Sequence, residues 1–130
     1  MPDFEQSREI DAAPEAVWRL VSDPDRLADW VPTTTASRPE GEDAVHLQGE
    51  SHGHDYDLRS GFVADAAARR LSWDSPRLSG YRGVLLVADH PGGSRVTVQV
   101  SIPDALARED QEIARGLGET LDRIARLAQA

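Results

Sequence analysis

The 130-residue sequence predicts an α+β fold, with a curved antiparallel sheet of about six or seven strands wrapped around a long C-terminal helix and two short helices after the first strand. Three observations predict it. Helical periodicity is confined to two places, just after the first strand and at the C-terminus. Turn residues cut the middle of the chain into strand-sized pieces. The clearest of those pieces, Arg95–Ile102, alternates apolar and polar residues, as a strand does when its sheet is covered on one side only.

The elements follow in order. Phe4–Asp11 sets Phe4, Gln6, Arg8 and Ile10 against Glu5, Ser7, Glu9 and Asp11, and only the first set carries apolar residues, so it reads as a strand with a mixed inner face. In AAPEAVWRLVSDPDRLADWVP, Pro14 and Pro24 each suit a first helical turn and Asp23 is placed to cap the second helix. Turn signals at Pro39–Asp43, Ser51–Gly53, Asp65–Ala67, Ser75–Pro76 and Pro91–Gly93 then divide the strands. In Arg95–Ile102, Val96, Val98, Val100 and Ile102 form the dry face. Pro103-Asp104 opens a helical run whose Leu106, Ile113, Leu117, Leu121, Ile124 and Ala128 fall on one stripe. Gly116 and Gly118 each cost about 1 kcal/mol relative to alanine inside a helix, which predicts a close backbone approach or a bend there.

Composition narrows the function classes. The length suits a single domain over 1–130. A net charge of -9 repels phosphate backbones and anionic headgroups, so neither nucleic acid nor a membrane is expected as a partner. Every basic residue is arginine, so no lysine amine is available for Schiff-base chemistry. The absence of cysteine removes thiol nucleophiles, disulfides and thiolate metal sites, and suits a reducing compartment. The N-terminus lacks the basic start and apolar run of a signal peptide, and no segment has the length to cross a bilayer; a cytoplasmic protein is expected.

The segment FEQSREIDAAPEAVWRLVSDPDRLADW resembles the opening of the START-related superfamily, also called SRPBCC, the group with the helix-grip fold that includes polyketide cyclases, lipid-transfer domains and the major birch-pollen allergen. The matching pieces are the strand ending at Ile10, the Ala13-Pro14 step, Val17-Trp18, Asp23-Pro24 and Trp30, and the later strands and terminal helix are similar in order and length. These positions build a corner and a helix pair. The resemblance therefore implies a fold and a cavity, and carries no catalytic signature.

A sheet wrapped around one helix encloses a natural place for a small, mostly apolar ligand, and alternation says which residues face it. Tyr56, Leu58, Ser60 and Phe62 share a face with His54; Gln6 and Arg8 go with Ile10; Trp73 goes with Leu71; and Tyr81 goes with Gly83, Leu85 and Val87. For that sixth strand Arg82, Val84, Leu86 and Ala88 form a nearly equal alternative. Val98 from the seventh strand, Ile113 and Leu117 from the helix, and Trp30 at the end of the second short helix complete the candidate ligand contacts.

An inward Arg8 needs a carboxylate, a water-lined pocket or a polar ligand group. It reads either as an anchor for a ligand oxygen or as a strand-edge residue tied to an acid such as Asp11 or Asp57. His54 reads as a proton shuttle or as a partly exposed histidine without a task, and Tyr56 as a donor to a developing enolate or as packing. His52 and His54 form H-x-H, yet Leu58 and Arg59 stand where a metal-binding glutamate would fall and His90 is the only later candidate ligand, so no metal and no cofactor are expected.

The expected partner is a small hydrophobic or aromatic ligand. Three functions stay open: a ligand carrier, a cyclase or dehydratase in which His54, Tyr56 and Arg8 are catalytic, and a non-catalytic regulatory or chaperone-associated module. Either a monomer or a homodimer fits, since an exposed edge strand can pair with a second copy.

Overall fold

Ten elements appear in the expected order. They are β1 (Asp3–Ile10), α1 (Pro14–Val21), α2 (Leu27–Trp30), β2 (Thr34–Pro39), β3 (Ala44–Ser51), β4 (His54–Asp65), β5 (Arg70–Asp74), β6 (Arg82–His90), β7 (Gly93–Ser101) and α3 (Asp110–Gln129). The structure, a computed structural model, describes residues 3–51, 53–74, 81–102 and 110–129, and within them not the side chains of 3, 51, 54 and 110–113. His52, the Ser75–Pro76 turn, the Pro103-Asp104 helix start and Leu106 lie outside the described residues, as do the side chains of His54 and Ile113.

The seven strands form one antiparallel sheet in the order β1-β7-β6-β5-β4-β3-β2. From β2 to β7, each strand is the antiparallel neighbour of the next in sequence. Strand β1 pairs with β7 at one edge while β2 lies at the other, so α1 and α2 carry the chain from one edge to the other. This curved sheet gripping a C-terminal helix is the helix-grip fold.

Helix α1 begins at Pro14, whose missing N–H costs nothing at a first turn, and it buries Val17, Trp18, Leu20 and Val21. Packed on β6, β7 and α3, it seals that part of the inner face. Asp23 does not cap α2 as the sequence predicts. Its Oδ1 accepts the Asp25 backbone N–H at 2.9 Å, closing a turn two residues on, and the cap position of α2 falls to Arg26. Pro24 therefore sits in a turn, and α2 is a single turn of helix.

Alternation assigns the inner faces as expected on β7, where Val96, Val98 and Val100 are buried together with Ile102 just beyond it, and on β6, where Gly83, Leu85 and Val87 are buried. On α3, Leu121, Ile124 and Ala125 are buried, with Leu117 and Ala128 packed against the same core. The opposite flank of α3 is clamped to β1. The Gln6 amide donates to the Ala114 carbonyl at 2.7 Å, Arg8 pairs with Asp122, and the Asp11 backbone N–H donates to Gln129 Oε1 at 2.9 Å.

No close approach accounts for the α3 glycines. A Cβ on Gly116 would meet nothing within 4 Å, and one on Gly118 would touch Gln6 Oε1 at an ordinary 3.5 Å.

Candidate functional site

A hollow of about 450 Å³ lies between the sheet and α3, at the end of the inner face away from α1. Its apolar wall comes from Leu27 and Val31 at α2, Val45 and Leu47 on β3, Leu58 and Phe62 on β4, Val98 and Val100 on β7, and Leu117 on α3. Aromatic rings come from Trp30, Tyr56, Trp73 and Tyr81, and hydroxyls from Thr33, Thr34, Ser60 and Thr120. No charged side chain appears among the described lining residues. Such a wall favours a ligand whose enclosed part is uncharged, because an ion buried there would lose its hydration without compensation.

Two cross-strand glycines set the shape of the wall. Gly49 pairs with Tyr56 and Gly83 with Trp73. A Cβ on Gly49 would collide with the Tyr56 phenol and the Thr33 carbonyl, and one on Gly83 would collide with the Trp73 indole. Each aromatic ring thus lies flat over its neighbour strand instead of standing up into the hollow, covering backbone that would otherwise be bare.

A polar cluster sits at the β2 end. The register of β2 against β3 shifts between Thr34 and Ala36, an irregularity that turns Thr34 inward although Thr35 and Ala36 are exposed. Thr34 Oγ1 then lies 2.9 Å from the Tyr56 hydroxyl, and Thr33 Oγ1 lies 3.3 Å from it. Three hydroxyls hold three protons, and two contacts among them use two. One O–H remains for an outside acceptor, so the cluster is able to donate to a ligand oxygen.

The other hydroxyls are engaged by backbone. Ser60 Oγ donates to the Asp74 carbonyl at 2.6 Å, and Thr120 Oγ1 donates to the Gly116 carbonyl at 2.8 Å. Trp30, only 4% exposed, has a buried Nε1–H with no acceptor among the described residues.

Of the residues picked out from sequence, Trp30, Tyr56, Ser60, Phe62, Trp73, Tyr81, Val98 and Leu117 come together in this wall. Three do not. Leu85 is fully buried in the packed core, and Gln6 spends its amide on α3. Arg8 shares the face of Ile10 as alternation predicts, but it is partly exposed and paired with Asp122, an acid that neither Asp11 nor Asp57 anticipated. The side chains of His54 and Ile113 lie outside the described ones.

Sequence reasoning missed Leu27, Val31, Thr33, Thr34, Val45, Leu47, Val100 and Thr120. Val45 and Leu47 were legible, since they alternate with His46 and Gln48; Thr34 was not, because the irregularity that turns it is a property of strand pairing.

The acids with displaced titration lie away from the hollow. The Gln48 amide, and then the charge of His46, hold the Asp57 carboxyl below its usual range, and Arg69 does the same for Glu15. Among the described residues no group of three or more His, Asp or Glu side chains is placed to hold a metal.

A model of the family described as polyketide cyclase / dehydrase and lipid transport matches residues 1–129. The chain belongs to that family. It is thereby a member of the START-related SRPBCC superfamily, and its family covers ring-closing and dehydrating enzymes together with lipid carriers.

No curated protein matches it. Among solved structures, the Zhui aromatase/cyclase from Streptomyces sp. R1128 is similar at a TM-score of 0.80 and 18% identity, covering 98% of this chain and 93% of that one. A START superfamily protein from Mycobacterium smegmatis is similar at 0.77 and 13% identity, covering 96% and 97%. The di-domain aromatase/cyclase BexL from the BE-7585A biosynthetic pathway is similar at 0.78 and 20% identity; the match covers 97% of this chain and 46% of BexL. At these identities the likeness is one of fold. Among the described residues no helix is long and apolar enough to cross a membrane.

Proposed function

We propose that this chain, acting as one domain over residues 1–130 in the cytoplasm, binds a small apolar, aromatic or lipid-like molecule in the hollow between its sheet and α3. The observation that carries this reading is the composition of the wall, which is aliphatic and aromatic with neutral hydroxyls and no charged side chain among the described residues. Its volume of about 450 Å³ falls within the range of small-molecule sites.

Two of the three tryptophans, Trp30 and Trp73, line the hollow, so their fluorescence reports on it. Titration with a neutral polycyclic ketone should quench that emission saturably. The same skeleton bearing a carboxylate should bind at least about tenfold more weakly, since burying an unpaired charge costs over a kilocalorie. Thr120→Trp, which fills the hollow from α3, should abolish the quenching. Equal binding of both ligands, or unchanged binding by the filled variant, rejects the reading.

The Tyr56 cluster favours one second reading, a cofactor-free cyclase or dehydratase. In it the surplus hydroxyl proton of Thr33, Thr34 and Tyr56 stabilises a carbonyl oxygen, and His54 or Tyr56 moves a proton. Tyr56→Phe separates the two. Under the carrier reading it weakens a ketone by about fivefold and leaves a hydrocarbon unaffected; under the enzyme reading it removes turnover of a poly-ketone while binding persists.

A further inference from the structure

The direction of each proton divides the hydroxyls of the hollow into two kinds. Ser60 Oγ donates its one proton to the Asp74 carbonyl at 2.6 Å, with the Gly61 carbonyl also within reach at 3.0 Å. Thr120 Oγ1 donates its proton to the Gly116 carbonyl at 2.8 Å. A carbonyl has no proton to give back, so each of these oxygens keeps only lone pairs for a further partner. Turning either proton towards a ligand would exchange one bond for another, whereas accepting from a ligand adds a bond to those already made.

The cluster of Thr33, Thr34 and Tyr56 is of the opposite kind, with one O–H more than its internal contacts use. The two kinds stand in different places. Thr33 is exposed, so the cluster reaches the rim of the hollow, whereas Ser60 is only 6% exposed and Thr120 belongs to the α3 wall. Tyr56 and Ser60 are four positions apart on β4, about 13 Å at roughly 3.3 Å per residue, and the Tyr56 ring lies over Gly49 on the neighbouring β3. No charged side chain among the described lining residues overrides this arrangement of donor and acceptors.

We infer that Ser60 and Thr120 are specificity-determining acceptors, and that the hollow takes an extended, neutral hydroxy-ketone whose hydroxyl end is buried against them while its carbonyl faces the Tyr56 cluster. This rests on the reading of the hollow as a ligand site and gives that ligand a polarity and an orientation. A molecule with a carbonyl at both ends would set lone pair against lone pair at Ser60, and a hydrocarbon would leave the surplus proton of the cluster without an acceptor. A one-ring phenol is too short to satisfy both ends.

The probes share one rigid, extended polycyclic skeleton: a hydroxy-ketone, the matching diketone, and the methyl ether of the hydroxy-ketone. Quenching of the tryptophan emission gives the affinity of each. The hydroxy-ketone should bind about tenfold more tightly than either analogue, since both lack the proton that Ser60 and Thr120 accept. Thr120→Val keeps the outline of the side chain and removes its acceptor, so it should weaken the hydroxy-ketone by about fivefold without weakening the diketone. Ser60→Ala uncovers the Asp74 carbonyl, itself an acceptor, so the preference for the hydroxy-ketone should survive it and the diketone should again not weaken. Nuclear Overhauser contacts should join the ligand protons beside the hydroxyl to the Thr120 methyl group, and those beside the carbonyl to the Tyr56 ring.

Equal binding of hydroxy-ketone and diketone overturns the inference, as does an unchanged hydroxy-ketone affinity in Thr120→Val. Weaker diketone binding in either variant would make these hydroxyls donors to the ligand, and contacts of reversed polarity would turn the ligand round; both also overturn it. In all of these cases the hollow still binds, and its reading as a ligand site stands. If no probe quenches saturably, that reading and the inference fall together.

Discussion

The two ends of one sheet are built to different ends. Around β1, β7 and β6, the eight-residue α1 and the flank of α3 press onto the inner face, and Val17, Val21, Leu85, Val96 and Ile124 are all fully buried. Around β2 to β5, the cover is the four-residue α2 and the edge of α3, so Leu47, Leu58, Tyr56 and Trp73 keep part of their surface. The same alternation of apolar residues therefore produces a close-packed core at one end and a cavity at the other. Among the described residues, what differs is the length of helix that covers each end.

The largest effect that tests this contrast is a pair of truncations. Ile124→Ala, at the packed end, should lose about 3–4 kcal/mol in denaturant unfolding, because it deletes fully buried methyl groups and leaves a void. Leu58→Ala, on the hollow's wall, should lose about 1 kcal/mol, since part of that side chain already faces empty space. Equal losses would break the distinction.

Next is Gly83→Ala, which pushes a methyl group into the Trp73 ring on the hollow's wall. It should cost about 1–3 kcal/mol and shift the tryptophan emission as the indole is displaced, both readable in one fluorescence-monitored melt. Gly116→Ala has the opposite sign. With nothing within 4 Å of the new Cβ, the gain in helix propensity should raise stability by about 1 kcal/mol, and an unchanged or lowered midpoint would mean that α3 needs flexibility there.

The smallest effect belongs to the ion pair tying α1 to the β4–β5 turn, where Arg69 Nη2 donates to Glu15 Oε1 at 2.7 Å. Hydrogen bonding to Arg69 and its charge lower the Glu15 carboxyl below its ordinary value of 4.5. Its stabilising contribution is therefore present above that ordinary value and lost as pH falls through the lowered one. Glu15→Gln should be slightly less stable than the parent at neutral pH, and the gap should close in acid. A gap that is the same at both ends of a pH series would show that the pair contributes nothing through charge.

Much of the fold was readable residue by residue. The Val96, Val98 and Val100 alternation, the Leu117, Leu121 and Ile124 stripe, and the pairing of Tyr56, Leu58, Ser60 and Phe62 on one face all follow from local repeats. Site residues were less legible. Asp23 looked like a cap, but its side chain had a nearer backbone N–H to bind. Arg8 was assigned the right face, yet its partner Asp122 is 114 positions away, too far for any local pattern to reveal. Thr33 and Thr34 belong to no local repeat, and strand pairing alone brings them to Tyr56.

The sequence by itself determined which side of each strand and helix is dry, because periods of two and 3.6 residues are set by backbone geometry within a single element. Only the tertiary structure decided that Gly49 lies under Tyr56, that Gly83 lies under Trp73, and that α1 stops short of half the sheet. Those features depend on register and on how far each helix reaches, and both are settled by contacts between residues distant in the chain.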